Sequence, residues 1–320
     1  MSNTATLQAW VHTLRHEAED TLSVELRPEG GTTFPAFEAG AHIDLHLPNG
    51  QIRQYSLTNA QGEATQASYQ IAVARDANSR GGSTWVHDKL RTGTGLAISA
   101  PRNLFALDTQ VPGKVLFIGA GIGITPIYAM VKAAQQNGLD WQLAACARSA
   151  SRMAFQEELH TLDPQRVRFH FDMEQGTALN LKALLGESTW DAVYACGPAG
   201  LLDAIEKATG HWPAGSVRME RFKAQAQDHS SHTAFQLVLA KSQKTVEVGA
   251  DESPLEALER IGIDHPYACR EGLCGTCEVR VLEGQPDHKD NVLSAQERTA
   301  GQRFIPCISR CSGPQLVIEL

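Results

Sequence analysis

The sequence predicts a three-part chain of 320 residues: a small antiparallel β-barrel, an α/β domain built on a parallel sheet, and a compact C-terminal module organised around cysteines. The first third breaks into short, partly alternating apolar runs separated by turn signals. The middle third alternates continuous apolar runs with helical stretches, the pattern of crossover connections. The last 52 residues hold five of the seven cysteines. The predicted boundaries are 1–107, 108–224 and 233–320, with 225–232 as a linker.

The barrel strands are expected at Glu25–Leu26, His42–Leu47, Ile52–Leu57, Tyr69–Val73 and Leu96–Ser99, with turns at Pro28-Glu29-Gly30-Gly31 and Pro48-Asn49-Gly50. In the α/β domain, Val115–Ile118, Gln142–Cys146 and Ala192–Cys196 read as buried strands. The polar stretch Ala224–His232 suits an exposed linker. Beyond it, Phe235–Leu239, Thr245–Val248 and Gln315–Leu320 read as strands and Pro254–Ile261 as a helix.

Apolar residues make up 42% and charged residues 20%, ordinary for a globular protein. A net charge of −8 argues against nucleic acid as a partner, which would call for a basic stripe. Met1–Trp10 has no basic stretch leading into an apolar run, so no secretory signal is expected. Val115–Val131 carries no charge, but Gly119, Gly121, Gly123 and Pro126 break it, and it is short for a membrane span. The expectation is a cytoplasmic protein that contacts neither membrane nor nucleic acid.

Cys269, Cys274, Cys277 and Cys307 fall in the spacing C-x4-C-x2-C…C, that of plant-type [2Fe–2S] clusters. Four thiolates must converge on two irons, so a short loop carrying three of them has to wrap around the cluster. Gly272 and Gly275 let that backbone come close and adopt unusual dihedrals. A zinc site is the alternative, but it usually pairs two C-x2-C units or adds histidines. Cys311 is a rival fourth ligand; Cys307 is preferred, and Cys311 reads as a structural thiol.

Gly119-Ala120-Gly121-Ile122-Gly123-Ile124-Thr125-Pro126 follows an apolar strand and opens a helix, where a pyrophosphate can approach the backbone. Ile124 stands where the dinucleotide fingerprint would have its last glycine, so a plain glycine turn is nearly as good a reading. Cys196-Gly197-Pro198 also follows a buried strand, which brings it near the same sheet edge. No acid ends the second strand of this domain. Arg148 stands there instead and could receive a 2′-phosphate.

In the first module, Arg53-Gln54-Tyr55-Ser56-Leu57 offers a cation for a phosphate, an aromatic for a flat ring and a hydroxyl for a ring nitrogen or oxygen. Arg80-Gly81-Gly82-Ser83 has the makings of a phosphate cradle. An ordinary strand and a surface turn are the plain alternatives.

The segment from about Phe235 to Leu320 resembles the plant-type ferredoxin domain, a β-grasp fold, with ligands mapping onto Cys269, Cys274, Cys277 and Cys307. Taken in order, all these motifs resemble the phthalate dioxygenase reductase family within the ferredoxin–NADP+ reductase superfamily, to which the vanillate demethylase reductases are similar. The resemblance implies an FMN barrel, an NAD domain and a C-terminal ferredoxin. Arg53, Gln54, Tyr55 and Ser56 would contact FMN, and Arg80, Gly81, Gly82 and Ser83 its phosphate. Gly119, Gly121, Gly123, Thr125, Pro126, Arg148, Cys196 and Gly197 would line the nicotinamide nucleotide site, and Phe222 would cover the flavin. Ser56 and Cys196 would be the catalytic positions. Hydride would pass from NADH to FMN, and single electrons through the cluster to a terminal Rieske non-haem iron oxygenase of aromatic catabolism. A P450 or a soluble carrier is the alternative acceptor, and the protein is expected to be a monomer.

Overall fold

A computed structural model describes residues 6–59, 65–223 and 232–320, so most of the expected linker, together with Met1–Ala5, lies outside the described residues. The chain forms two compact units, one ending at Arg221 and the other running from Phe222 to Leu320.

The first unit begins with the barrel strands β1 (Thr6–Ala18), β2 (Thr21–Pro28), β3 (Phe34–Pro35), β4 (His42–His46), β5 (Ile52–Ser56), β6 (Thr65–Gln66), β7 (Tyr69–Ala74) and β8 (Gly95–Ser99), with helix α1 (Gly82–Lys89) between the last two. Six of them form one antiparallel sheet in the order β5-β4-β8-β1-β2-β7. Inward residues such as Val11, Val24, Ile43, Leu45, Ile71 and Ile98 are fully buried and build one core. The expected strands are present, but β1, which sequence reading omitted, is one of the two central strands of the sheet. Its outward face carries polar residues, and register shifts after Val11 and His16 break its alternation, so the two-residue period fails.

The unit continues with β9 (Lys114–Ala120), α2 (Ile124–Gln136), β10 (Asp140–Ala147), α3 (Gln156–Leu162), β11 (Val167–Phe171), α4 (Asp172–Gln175), α5 (Leu181–Gly186), β12 (Ala192–Cys196), α6 (Ala199–Thr209) and β13 (Val217–Glu220). The sheet order is β11-β10-β9-β12-β13, and every pairing is parallel. Sequence reading did not mark β11 and β13, the two edge strands; they are only partly buried and mix charge with apolar residues. The strand order reverses at β9 and β12, which places a crevice at their carboxyl ends.

Barrel and parallel sheet meet through small residues and a few polar links. Ala18, Ala39 and Ala72 of the barrel join the core that holds Phe105, Met130 and Tyr194. Lys132 Nζ donates to the Thr58 carbonyl at 2.5 Å. Arg152 pairs with Glu19 at 2.5 Å and Asp20 at 3.2 Å in the β1–β2 turn.

The second unit contains β14 (Phe235–Leu239), β15 (Lys244–Val248), α7 (Pro254–Arg260), β16 (Val279–Glu283), β17 (Pro286–Asp287), α8 (Ala295–Ala300), β18 (Arg303–Phe304), β19 (Arg310–Cys311) and β20 (Gln315–Ile318). The mixed sheet β15-β14-β20-β16-β18 packs Leu237, Val246, Phe304 and Leu316 against Ala257 and Leu258 of α7, a β-grasp arrangement. A Ser253–Glu256 capping box and Pro254 in the first turn fix the start of α7. Arg310, 5% exposed, holds this unit together: its guanidinium donates to the carbonyls of Thr233 (3.0 Å), Gly249 (2.8 Å) and Glu252 (2.6 Å). Charge-assisted bonds of this kind are each worth about 1.5–3 kcal/mol. Arg310→Met should therefore weaken the unit by at least about 2 kcal/mol. Amide exchange in β14 and β20, followed by mass spectrometry, should accelerate roughly thirtyfold, while β9 and β12 keep their protection.

Candidate functional site

Arg53 and Gly82 lie together. A Cβ on Gly82 would stand 2.8 Å from Arg53 Cγ and 2.9 Å from its Nε, so only glycine lets this arginine cross the first turn of α1. Gly81 caps the helix at φ 100°, a conformation that favours glycine. The first-turn N–H groups, the Arg53 guanidinium and the exposed Arg80 thus share the amino end of α1, a setting that attracts a phosphate. The Ser83 hydroxyl is occupied within the chain: it donates to Ser79 Oγ at 3.1 Å and accepts from the Asp76 N–H at 3.1 Å.

Tyr55 packs against the barrel core, and burial pushes its phenol up to about 12 against the pull of Arg53. The Gln54 side chain donates to Asp44 at 2.6 Å and so braces the strand pair from within the chain. Ser56 is 4% exposed, and its Oγ has no hydrogen-bond partner. A sealed, unpaired hydroxyl costs about 1–3 kcal/mol, which a bound group supplying the partner would offset. With the cation-lined helix start nearby, these residues fit FMN.

The glycines of the middle motif divide into two kinds. A Cβ on Gly123 would meet the Cys196 carbonyl oxygen at 2.4 Å, and one on Gly119 would meet Ile124 Cδ1 at 2.7 Å. Gly123 lets the turn close on the end of β12, and Gly119 lets the first turn of α2 pack down on β9. Gly121, at φ 55°, has nothing near its Cβ position and faces open space. Thr125 and Pro126 are buried in α2, and the Thr125 hydroxyl donates to the Ile122 carbonyl at 2.9 Å, bracing the turn. Gly197 comes within 2.8 Å of Ala120 Cβ by the same measure. The sequence-predicted motifs therefore meet backbone to backbone at the carboxyl ends of β9 and β12, with Gly121, Ile122 and Gly197 bordering the crevice. The half-open backbone there fits a dinucleotide.

Cys196 is fully buried; burial and the neighbouring Glu220 hold its thiol well above the usual range, so it stays uncharged. Glu220 is its register partner on β13. Its Oε2 is sealed and unpaired, and burial pushes the carboxyl up to about 8. Arg148 is exposed just past β10, and its carbonyl accepts the Met173 N–H at 3.0 Å. Phe222 is 37% exposed and is the first residue of the second unit.

In the second unit, Cys269, Cys274, Cys277 and Cys307 are all buried and free. Cys269 contacts both Cys274 and Cys307, and Cys307 also contacts Cys277. The N–H groups of Glu271 and Leu273 donate to Cys269 Sγ at 3.3 and 3.4 Å. Gly272, at φ 67°, could not carry a Cβ, which would stand 2.5 Å from Ile308 Cγ2. Its contact with Cys269 and burial push the Cys274 thiol up, a cost of gathering sulfurs that bound iron reverses. Among the described residues no group of three His, Cys, Asp or Glu side chains is arranged for a single ion; a cluster spreads four thiolates over two irons. Cys311 lies apart in the sheet core, where its Sγ is engaged with the Gln315 carbonyl at 3.3 Å.

Sequence reading missed three polar residues near the proposed centres. Glu220 ends an edge strand that reads as ordinary. His42 and Asp44 alternate with Ile43 and Leu45 in the manner of a surface strand, yet are 5% and 4% exposed.

Residues 237–312 match the 2Fe-2S iron-sulfur cluster binding domain family, and residues 117–207 the oxidoreductase NAD-binding domain family. The toluene-4-sulfonate monooxygenase system reductase subunit of Comamonas testosteroni is 51% identical, over 97% of this chain and 98% of its own. The solved structure of phthalate dioxygenase reductase, 34% identical, aligns with a TM-score of 0.71 over 99% of this chain and 98% of that one. An intact type IV self-sufficient cytochrome P450 monooxygenase, 37% identical, aligns with a TM-score of 0.90 over 98% of this chain but 41% of its own. Fold and motifs define a modular electron-transfer reductase. The chain belongs to the phthalate dioxygenase reductase family, the reductase components of oxygenase systems, with FMN, a [2Fe–2S] cluster and NAD as its cofactors.

No helix among the described residues is long and apolar enough to cross a membrane.

Glu220 gives this region a pH signature. Its folded pKa lies above the ordinary 4.5, so its contribution to stability is present below pH 4.5 and is lost as pH rises through about 8. Glu220→Gln should match the wild type near pH 5 and exceed it by on the order of 1–2 kcal/mol at pH 8.5, read from urea midpoints at the two pH values.

Proposed function

We propose that this chain takes electrons from NADH and delivers them one at a time to a terminal Rieske non-haem iron oxygenase acting on an aromatic compound, as a monomer in the cytoplasm. The observation that carries this reading is the four-cysteine cage in the same chain as a crevice and barrel fit for NAD and FMN. When bound, FMN supplies the exchange between hydride and single electrons, and the cluster supplies the one-electron relay.

The residues divide the work as follows. Arg53, Arg80 and the start of α1 hold the FMN phosphate, and Tyr55 and Ser56 orient the ring. Gly121, Ile122 and Gly197 leave room for the dinucleotide, and uncharged Cys196 gives its inner wall a small, apolar shape. Cys269, Cys274, Cys277 and Cys307 hold the cluster. For the coenzyme, Asp172 and Glu174 of α4 stand beside the end of β10: Glu174 accepts the Ala150 N–H at 3.0 Å, and the Asp172 side chain is 54% exposed. These carboxylates disfavour a 2′-phosphate next to Arg148 and support NADH. The proposed domain limits are those read from the sequence, 1–107, 108–224 and 233–320 with 225–232 as a linker.

A second reading, a P450 as acceptor, is favoured by the likeness to the self-sufficient P450 monooxygenase. Reconstitution with each class of acceptor separates the two. Anaerobic titration with NADH should bleach both flavin and iron–sulfur absorption. Cys307→Ala should remove the cluster bands and leave flavin reduction intact, whereas Cys311→Ala should keep both; cluster loss in Cys311→Ala alone would exchange the two assignments.

The ferredoxin segment 233–320 carries 9 Lys+Arg against 13 Asp+Glu, a difference of −4. Turnover with a terminal oxygenase should accordingly fall several-fold between 0.05 and 0.5 M salt. A flat salt response in stopped-flow transfer would remove electrostatic docking.

A further inference from the structure

Ser56, His42 and Arg102 form one row across three neighbouring segments. His42 is the register partner of Ser56 on one side. On the other it exchanges backbone hydrogen bonds with Arg102, at 2.8 and 3.0 Å. Directly paired antiparallel residues leave a sheet on the same face. This face is opposite to that of Ile43 and Leu45, which fill the barrel core.

The adjacent row, Gln54 and Asp44, is satisfied within the chain. Asp44 Oδ1 accepts from Gln54 Nε2 at 2.6 Å and from Arg102 Nη2 at 2.7 Å. In the first row three atoms are sealed from solvent without a partner: Ser56 Oγ, His42 Nε2 and Arg102 Nε. His42 is 5% exposed, and burial, helped by the Arg102 charge, pulls its imidazole down to about 4. The ring is therefore neutral, and its Nε2 can donate or accept. Arg102 Nε only donates, and a serine hydroxyl does either. Such a row suits an uncharged, planar edge with at least one acceptor, as in the nitrogen and carbonyl edge of a flavin. It does not call for an anion, which the start of α1 already attracts.

We propose that His42 is a further FMN-binding residue, presenting Nε2 beside Ser56 Oγ and Arg102 Nε to the polar edge of the flavin ring. The inference rests on the reading of Ser56 as a flavin contact. The test is FMN release and the visible flavin band in purified holoenzymes of the wild type, His42→Leu, His42→Gln and Ser56→Ala. His42→Leu should raise the FMN dissociation constant about tenfold, the equivalent of one buried hydrogen bond, and shift the flavin band. His42→Gln, which keeps a polar nitrogen at similar reach, should stay within about twofold. An unchanged constant and band in His42→Leu, with Ser56→Ala impaired, overturns the inference alone and leaves His42 a residue bonded to trapped water. No effect in either variant overturns the Ser56 reading as well. If His42→Leu does not fold, the His42 ring nitrogen signals of the wild type decide: an Nε2 signal that moves when FMN is removed supports the contact, and one that stays fixed overturns it.

Discussion

The close backbone approach between the turn at Gly121–Gly123 and the end of β12 governs the first unit. Only glycine at 123 lets that turn rest against the Cys196 carbonyl, and the contact fixes where α2 begins. From there the 13-residue helix extends about 20 Å. Met130, in its middle, reaches the barrel turn at Gly40, and Lys132, one half-turn on, holds the Thr58 carbonyl. Thr58 lies two residues beyond Ser56. The same helix therefore borders the nucleotide crevice at its start and holds the segment that follows β5 along its flank. A shift of Gly123 would be felt at both.

The unpaired atoms of this unit are not scattered. Among the described residues, Ser56, His42 and Arg102 share one row of the barrel sheet, Glu220 sits beside Cys196 at the sheet edge, and Arg221 Nη1 follows it. Elsewhere in the unit buried polar groups are satisfied with care: Tyr194 Oη accepts from the Asp108 N–H at 2.9 Å and from Arg218 at 2.6 Å, and Trp141 Nε1 donates to Gln135 at 3.0 Å. The row at Ser56 lies where a cofactor is proposed to bind, so a bound group there would complete the hydrogen bonding as well as the chemistry.

The cysteine cage was legible because iron–sulfur chemistry dictates residue type and spacing at short range, and the loop glycines follow from the same demand. The glycine turn and Arg53-Gln54-Tyr55-Ser56 were legible as motifs, but the division of labour among the glycines was not. Gly119 makes room for Ile124 and Ile127 of α2, whereas Gly123 faces the end of β12, more than 70 residues away in sequence. His42, Asp44 and Glu220 left no trace because alternation reports which face a residue takes, not what covers that face. The strand β1 was lost for a related reason: its bulges and polar outer face erase the period, although its inner residues Ala9 and Val11 are fully buried.

The second unit shows how a strained loop is held in the shape its sulfurs require. Arg270, between the first two cysteines of the cage, adopts φ 57°, unfavourable for a residue with a side chain. Its guanidinium lies over the Tyr267 ring at 4.0 Å and bonds Glu259 of α7, one contact being 3.1 Å. On the far side of the loop, buried His265 meets the Cys277 carbonyl at 2.9 Å. Cys277 and Cys307 further join Leu255, Leu293 and Ile305 in a small core separate from the sheet core. The capped helix α7 reaches both, with Leu255 in one and Leu258 in the other. The loop geometry is thus anchored to a rigid element on which the sheet also depends, so the cage does not rely on metal alone to keep its form.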